Sequence, residues 1–420
     1  MAEPLQFGVE LRRLRLAADM SLARFAESVH YSKGYLSRIE TGKQPPTAAL
    51  ARRCDALLGA GGRLAALVYD EPRIGRGDCG PRPTLVVAMT GGLDLAPVAR
   101  RQLLAAGTAW AVGMANSDAV SHAADAAPVE ALSDLFAQMR RLGQLTASDA
   151  MIPILEAQTR VVAGLAAQAG AASRSSLLVL ASRFAEFTGW MAQESGNEIA
   201  AMQWTGQAVE MANAAGHRDL AGYASVRHAL ITMYRNDGVQ TVALARCAQS
   251  PSLPSEVREQ AARREAQGHA LLGDHDSAMR CLDRARALRD CESTPTAASL
   301  GPTHLPDAIE MVTGWCLFDV GRPREAAVIL DHQVENLAAD ADRSRARYGM
   351  RAALAHVAAG EIEHACDGLG ELLNLADAID SATIDADMRR LAAELGRYRA
   401  AASVKAVLPR LTASLHRSAR

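Results

Sequence analysis

The chain has 420 residues, a formal net charge of −2, 49% hydrophobic residues and only 4% aromatic ones. That length excludes a single small core and predicts two or more domains or a repeat array. Ala-rich runs such as "ALARCAQ" and "REAQGHALLG" favour helix. No alternating strand series with hairpin turns is evident, so the expected fold class is all-α. The seven cysteines (Cys54, Cys79, Cys247, Cys281, Cys291, Cys316 and Cys366) form no C-x-x-C pair and have no zinc-type His spacing. With no signal peptide evident, they read as inert thiols of a reducing, cytoplasmic compartment.

Residues 1–70 predict a compact module of five helices. In "FGVELRRLRLAAD", Phe7, Leu11, Leu14 and Ala18 recur at helical spacing, and Arg12, Arg13 and Arg15 spread over the remainder. "SLARFAESV" follows, with Ser21 as N-cap and Leu22, Phe25, Ala26 and Val29 as the inward stripe. The third pattern is "YSKGYLSRIETGKQPP". Ser32 caps it, Tyr35, Leu36 and Ile39 keep helical spacing, Gly42 suits a left-handed C-terminal position, and Pro45-Pro46 ends it. A helix restarts at Thr47, and "GAGG" punctuates before "RLAALVYD".

The stretch "MSLARFAESVHYSKGYLSRIETGKQPP" carries a dense match to a known pattern. Residues Glu10 to Val68 resemble the phage-repressor, Cro-like helix-turn-helix of the xenobiotic-response-element type. The family's recognition-helix positions fall on Ser32, Lys33, Tyr35, Leu36, Ser37, Arg38, Ile39, Glu40, Gly42 and Lys43. The resemblance implies binding of double-stranded DNA, with Ser32, Lys33, Tyr35, Ser37, Arg38 and Lys43 as the candidate contacts. A recognition helix aims its N-terminal turn into the major groove, where Lys33 and Ser37 are placed to read bases. Gly34 would let the helix approach closely, and Arg38 and Lys43 suit the phosphate backbone. One departure is Leu22, where the family commonly has a phosphate-docking Gln. The module holds 10 Lys/Arg against 7 Asp/Glu, so one copy should bind weakly. A homodimer on a palindromic operator is therefore expected.

Residues 71–128 read as a linker and an irregular helical segment, opening with the Gly-, Pro- and Arg-rich "EPRIGRGDCGPRP". Within it, "RRQLLAAGTAWAVGMA" (Arg100 to Ala115) looks like a twin-arginine export signal. It lies far from the start of the chain and is short for a membrane span, so it reads as soluble. No membrane partner is expected.

Long helical patterns fill residues 129–420. Gly196, Gly238, Gly273, Gly321 and Gly360 sit where one helix ends and another begins. Five residues after each stands an alanine: Ala201, Ala243, Ala278, Ala326 or Ala365. Nine after stands Thr205, Cys247, Leu282, Leu330 or Leu369, and seven before stands Gly189, Ile231, Ala266, Gly314 or Ala353. Small residues on both sides of a tight turn allow two antiparallel helices to approach closely. This register resembles the tetratricopeptide repeat over about Leu177 to Leu375, without its early Trp and with breaks at Ile231 and Gln333. The resemblance implies an α-solenoid, a right-handed superhelix with a concave groove.

No Walker loop, H-E-x-x-H, G-x-S-x-G or dinucleotide fingerprint occurs in a credible context. Neither an enzyme nor a metal site nor a cofactor is expected. Arg227, His228, Tyr234 and Arg235 are the candidate effector-binding residues of the groove. The domain order resembles regulators of high-GC actinobacteria and, more distantly, peptide-sensing regulators of Gram-positive bacteria. It implies a transcriptional regulator whose repeats dimerise and sense a signalling peptide. The alternatives are a small-molecule effector, with the low aromatic content arguing against a stacked aromatic one, or repeats that serve only protein–protein contacts.

Overall fold

The computed structural model describes residues 4–68, 121–217, 219–290 and 305–417, and these are helical throughout with no strand among them. The Arg100–Ala115 segment, Cys79 and Cys291 lie outside the described residues.

The first module has five helices: α1 (Pro4–Ala17), α2 (Leu22–Ser28), α3 (Lys33–Glu40), α4 (Ala48–Leu58) and α5 (Arg63–Ala66). Each start has a local cause. The Ser21, Ser32 and Thr47 side chains accept from the backbone N–H groups of Arg24, Tyr35 and Leu50, each at 3.2 Å. The Asp55 carboxylate accepts from the N–H groups of Leu64 (2.9 Å) and Ala65 (2.7 Å), tying α5 to α4. Phe7, Leu11, Phe25, Leu36, Ile39, Leu50 and Leu64 form the core. Helix α1 lies directly on the end of α3 because Gly8 has no side chain: a Cβ there would collide with the Ile39 and Glu40 carbonyls. Beside it, the Arg15 guanidinium grips both oxygens of Glu40, at 2.6 and 2.9 Å. Glu40 thus holds α1 to α3.

The described residues resume at Ser121, and the helices from there on form a second unit. Its helices are α6 (Ser121–Leu145), α7 (Ser148–Gln168), α8 (Ala171–Glu194), α9 (Glu198–Ala214), α10 (Asp219–Tyr234), α11 (Gly238–Cys247) and α12 (Ser255–Leu271). They continue with α13 (His275–Asp290), α14 (Ala308–Asp319), α15 (Pro323–Glu335), α16 (Asp342–Ala359), α17 (Ile362–Cys366), α18 (Leu369–Ile379), α19 (Ala382–Leu395) and α20 (Ala402–Arg417). From α7 to α17 each helix packs on the next. Helix α7 is long and apolar enough to cross a membrane, yet its Met151, Leu155, Val162 and Ala166 are buried against α8 and its neighbours.

The close approaches fall where the small residues stand. A Cβ on Gly189 would press on the Ala201 carbonyl at 3.1 Å, and one on Gly314 would meet Leu330 at 2.9 Å. One turn corrects the sequence register. Gly238 is not a left-handed turn residue; Asn236 is, with φ +58°. Asparagine tolerates this conformation better than other side-chain-bearing residues. Counted from Asn236, the register gives Ala229, Thr241 and Ala245, all fully buried, whereas Ala243 and Cys247 are exposed. The apparent break at Ile231 came from that two-residue offset.

Helices distant in the chain also meet across the unit. The Arg343 guanidinium at the start of α16 reaches the far end of α6, donating from Nε to the Gly143 carbonyl (2.8 Å) and from Nη2 to that of Thr146 (2.6 Å). Its Nη1 donates to Glu194 of α8 at 3.2 Å. Glu194 also accepts from the Ser381 (2.6 Å) and Thr383 (2.9 Å) hydroxyls. Burial alone would raise this carboxyl, but Arg347, Arg343 and the two hydroxyls outweigh it and hold the pKa below the usual value. The space between these helices is a partly open cavity.

Candidate DNA-reading face and an arginine-lined cavity

Helix α3 turns Leu36 and Ile39 into the core of the first module and leaves Lys33, Gly34, Ser37 and Arg38 exposed on the opposite side. Nothing lies within 4 Å of a Cβ built on Gly34, so the surface around it is open. Ser32 and Lys43 flank this face and are also exposed, and Arg38 donates to the Gln44 amide at 3.1 Å. Leu22 packs at the edge of the core. Tyr35 differs from the rest: its ring is half-buried and stacks on Tyr31, centroids 5.3 Å apart. Burial raises its hydroxyl pKa.

Tyr31 and Tyr35 mark the border between this face and the repeat unit. The Arg397 guanidinium lies 3.6 Å above the Tyr31 ring. Around it, Arg53 pairs with Glu394 (3.4 Å) and Arg52 with Asp319 (3.6 Å). The repeat turns make the remaining contacts. Gly273 abuts Gly62 and Ala65, Gly321 abuts the backbone of Arg52 and Arg53, and Gly360 abuts the His30 ring. His30 is pushed below the usual histidine range by burial, and then by Arg53, Arg324 and Arg397. A cleft of about 1000 Å³ runs between the two units past Tyr31, Asn236, Phe318 and Arg390.

The cavity of the repeat unit has a volume of about 100 Å³. Helix α8 contributes Glu186, Phe187 and Trp190. Helix α10 contributes Tyr223, Arg227 and Tyr234; α12 contributes Gln260, Arg264 and Gln267; α14 contributes Val312 and Trp315; α16 contributes Arg343, Arg347 and Tyr348. The scarce aromatic residues therefore converge here, which removes the sequence argument against an aromatic ligand. Trp190 stacks on Phe187 (5.5 Å), and Tyr234 meets Trp315 edge-on (6.2 Å). The Tyr223 hydroxyl donates to Glu186 at 3.1 Å.

Residues 6–68 match a family described as a helix-turn-helix domain. The first module is a helix-turn-helix domain. No curated protein and no solved structure matches the chain.

Of the side chains of the helix-turn-helix named from the sequence, Lys33, Ser37, Arg38 and Lys43 are exposed outside the cleft lining, while Ser32 and Tyr35 line the cleft. Of the four candidate effector residues, Arg227 and Tyr234 line the cavity. His228 is half-buried on the same helix and is not among the lining residues, and its pKa is lowered by burial. Arg235 points to the surface and pairs with Glu198. Arg264, Trp190, Trp315 and Arg347 were not singled out, because each lies on a different helix and no local spacing joins them.

Two clusters bring potential metal ligands together, Glu265–His269–Cys281 and Asp331–His356–His364. In the first, Arg246 (2.8 Å) and Arg284 already grip Glu265. Burial would raise its carboxyl, but His269 and these arginines bring it down to about 2, and the guanidinium groups would repel a cation. In the second, His356 is bridged between Asp331 (2.9 Å) and Glu361 (2.7 Å), which satisfies both ring nitrogens without an ion.

Proposed function

We propose that the chain is a transcriptional regulator that binds a palindromic operator as a homodimer, and that an effector in the repeat-unit cavity controls it. Lys33 and Ser37 read bases, while Ser32, Arg38 and Lys43 hold the phosphate backbone. The reading assigns no catalysis.

One observation carries the regulatory part. Three of the helices that line the cavity end at turns that touch the helix-turn-helix. Helix α12 runs from Arg264 to the Gly273 turn, α14 from Trp315 to Asp319 and Gly321, and α16 from Arg347 to Gly360. A change in spacing around the cavity therefore moves the surface on which Arg52, Gly62 and His30 rest. An effector that favours one spacing shifts the population of head positions, and with it the affinity for DNA. For dimerisation, Leu142, Leu145, Ile154, Val161 and Leu165 leave apolar surface exposed on α6 and α7.

The test reads operator affinity while the docking contact is altered at residues that neither read bases nor line the cavity. Glu394→Arg should loosen the head and change affinity, and the swap Arg53→Glu with Glu394→Arg should restore the parent value. Equal affinity in all three proteins would remove the coupling.

A further inference from the structure

We infer that the cavity binds a small organic anion, its acid group held by Arg227 and Arg264 and its flat aromatic body stacked among Trp190, Trp315 and Tyr234. This rests on the regulatory reading and adds the chemical class of the effector.

Charge accounting points to the anion. Among the described residues, five arginines line the cavity (Arg140, Arg227, Arg264, Arg343 and Arg347) against one carboxylate, Glu186. The protein balances Arg343 and Arg347 through Glu194, at 3.2 and 3.6 Å, and Arg140 lies over the Phe136 ring. Arg264 donates to the neutral amide of Gln267 and pairs with no carboxylate among the described residues. Arg227 is 4% exposed, and its Nε and Nη2 have no hydrogen bond. Its nearest acid is Glu186 at 3.5 Å, which already accepts from Tyr223. Glu186, which already accepts from Tyr223, is thus the acid set against Arg227, and Arg264 has none among the described residues. Burial, and then the neighbouring Arg263, lowers Arg264 to about 10. A second negative charge satisfies these donors, and the planar guanidinium fork suits a carboxylate.

Size and lining fix the rest. A buried water needs roughly 10–15 Å³ by this measure, so a cavity of about 100 Å³ suits a compact molecule rather than an extended peptide. Arg351 covers one face of Trp315 and Arg347 lies 5.0 Å over one face of Tyr234, so a flat body has to take the opposite faces of these rings. Val226, Leu230, Leu305 and Val312 complete an apolar wall. The acid group itself has two sources, a free aryl acid or the C-terminal carboxylate of a very short peptide.

The experiment titrates the full chain with indole-3-acetate, its neutral amide, a tryptophan-ended tripeptide with free or amidated C-terminus, and inorganic phosphate. Tryptophan fluorescence and the melting temperature are read. Indole-3-acetate should quench fluorescence and raise the melting temperature, and the amide should bind about tenfold more weakly or worse. Arg227→Gln and Arg264→Gln should each abolish the preference for the acid with helicity unchanged. If either unfolds, Arg264→Lys keeps the charge, loses the fork and should still weaken the acid. A free-acid tripeptide that binds more tightly than indole-3-acetate supports the anion and names the peptide source. Phosphate binding as tightly as indole-3-acetate overturns the aromatic body. Equal binding of acid and amide, acid binding unchanged in the arginine variants, or no response to any probe at millimolar concentration overturns the inference. Acid binding with unchanged operator affinity would keep the site and reject the regulatory reading. A cell extract that alters operator affinity while every probe fails would do the reverse.

Discussion

Each side chain of α3 has its job divided by the direction it faces. Leu36 and Ile39 hold the helix, Glu40 holds α1 through Arg15, and Lys33, Ser37 and Arg38 remain exposed. Gly34 isolates the contribution of the DNA. Because its surroundings are open, Gly34→Ala should leave the fold intact and stabilise the helix by about 0.5–1 kcal/mol. It should nevertheless weaken operator binding by crowding the groove. Paired thermal melts and fluorescence anisotropy check both halves, and parent-like DNA affinity would show that the backbone does not approach closely there. This much was legible in sequence, because caps, core stripes and exposed faces are local. The cavity was legible only in Arg227 and Tyr234, which share one helix. Arg264 and Trp315 joined them through tertiary packing that no spacing records.

At the scale of helices, glycine and asparagine decide how closely elements meet. Gly8 brings α1 onto the α3 carbonyls, and Gly8→Ala should cost about 1–3 kcal/mol by overpacking. Chemical denaturation of the full chain, followed by a probe in the helix-turn-helix, measures it; an unchanged midpoint would mean that α1 shifts freely. The repeat register was legible as small residues at fixed offsets from turn glycines. It failed at one turn because Asn236, rather than a glycine, adopts the left-handed conformation. Asn236→Ala should cost about 1–2 kcal/mol from backbone strain alone, whereas an exposed Ala243 should tolerate polar substitution. Stability curves of the two variants distinguish these registers.

At the scale of the molecule, two junctions turn a string of helices into one object. Glu194 joins α8, α16 and the start of α19. Glu194→Leu leaves Arg343 buried without its counter-charge and should cost about 3–5 kcal/mol, read as a lowered denaturation midpoint. This junction was invisible in sequence because Arg343 and Gly143 lie far apart in the chain. The docking junction should depend on pH. His30 has a folded pKa below its ordinary value of 6.5 and faces Arg53, Arg324 and Arg397. Its stabilising contribution is therefore full above pH 6.5 and lost as pH falls through the lowered folded value. Hydrogen exchange in α4 and in the Gly360 turn should rise over that acid range, and His30→Gln should flatten the response. An unchanged profile in the variant would assign the pH dependence elsewhere.

The central claim is that the exposed face of α3 reads DNA, and selection from fragmented genomic DNA tests it most directly. The intact chain is compared with the Lys33→Ala/Ser37→Ala variant under the same salt. The parent should enrich fragments sharing an inverted repeat with half-centres about one helical turn apart, and the variant should lose that enrichment while keeping its helicity. Enrichment of the same fragments by both proteins, or of none by the parent, would contradict it.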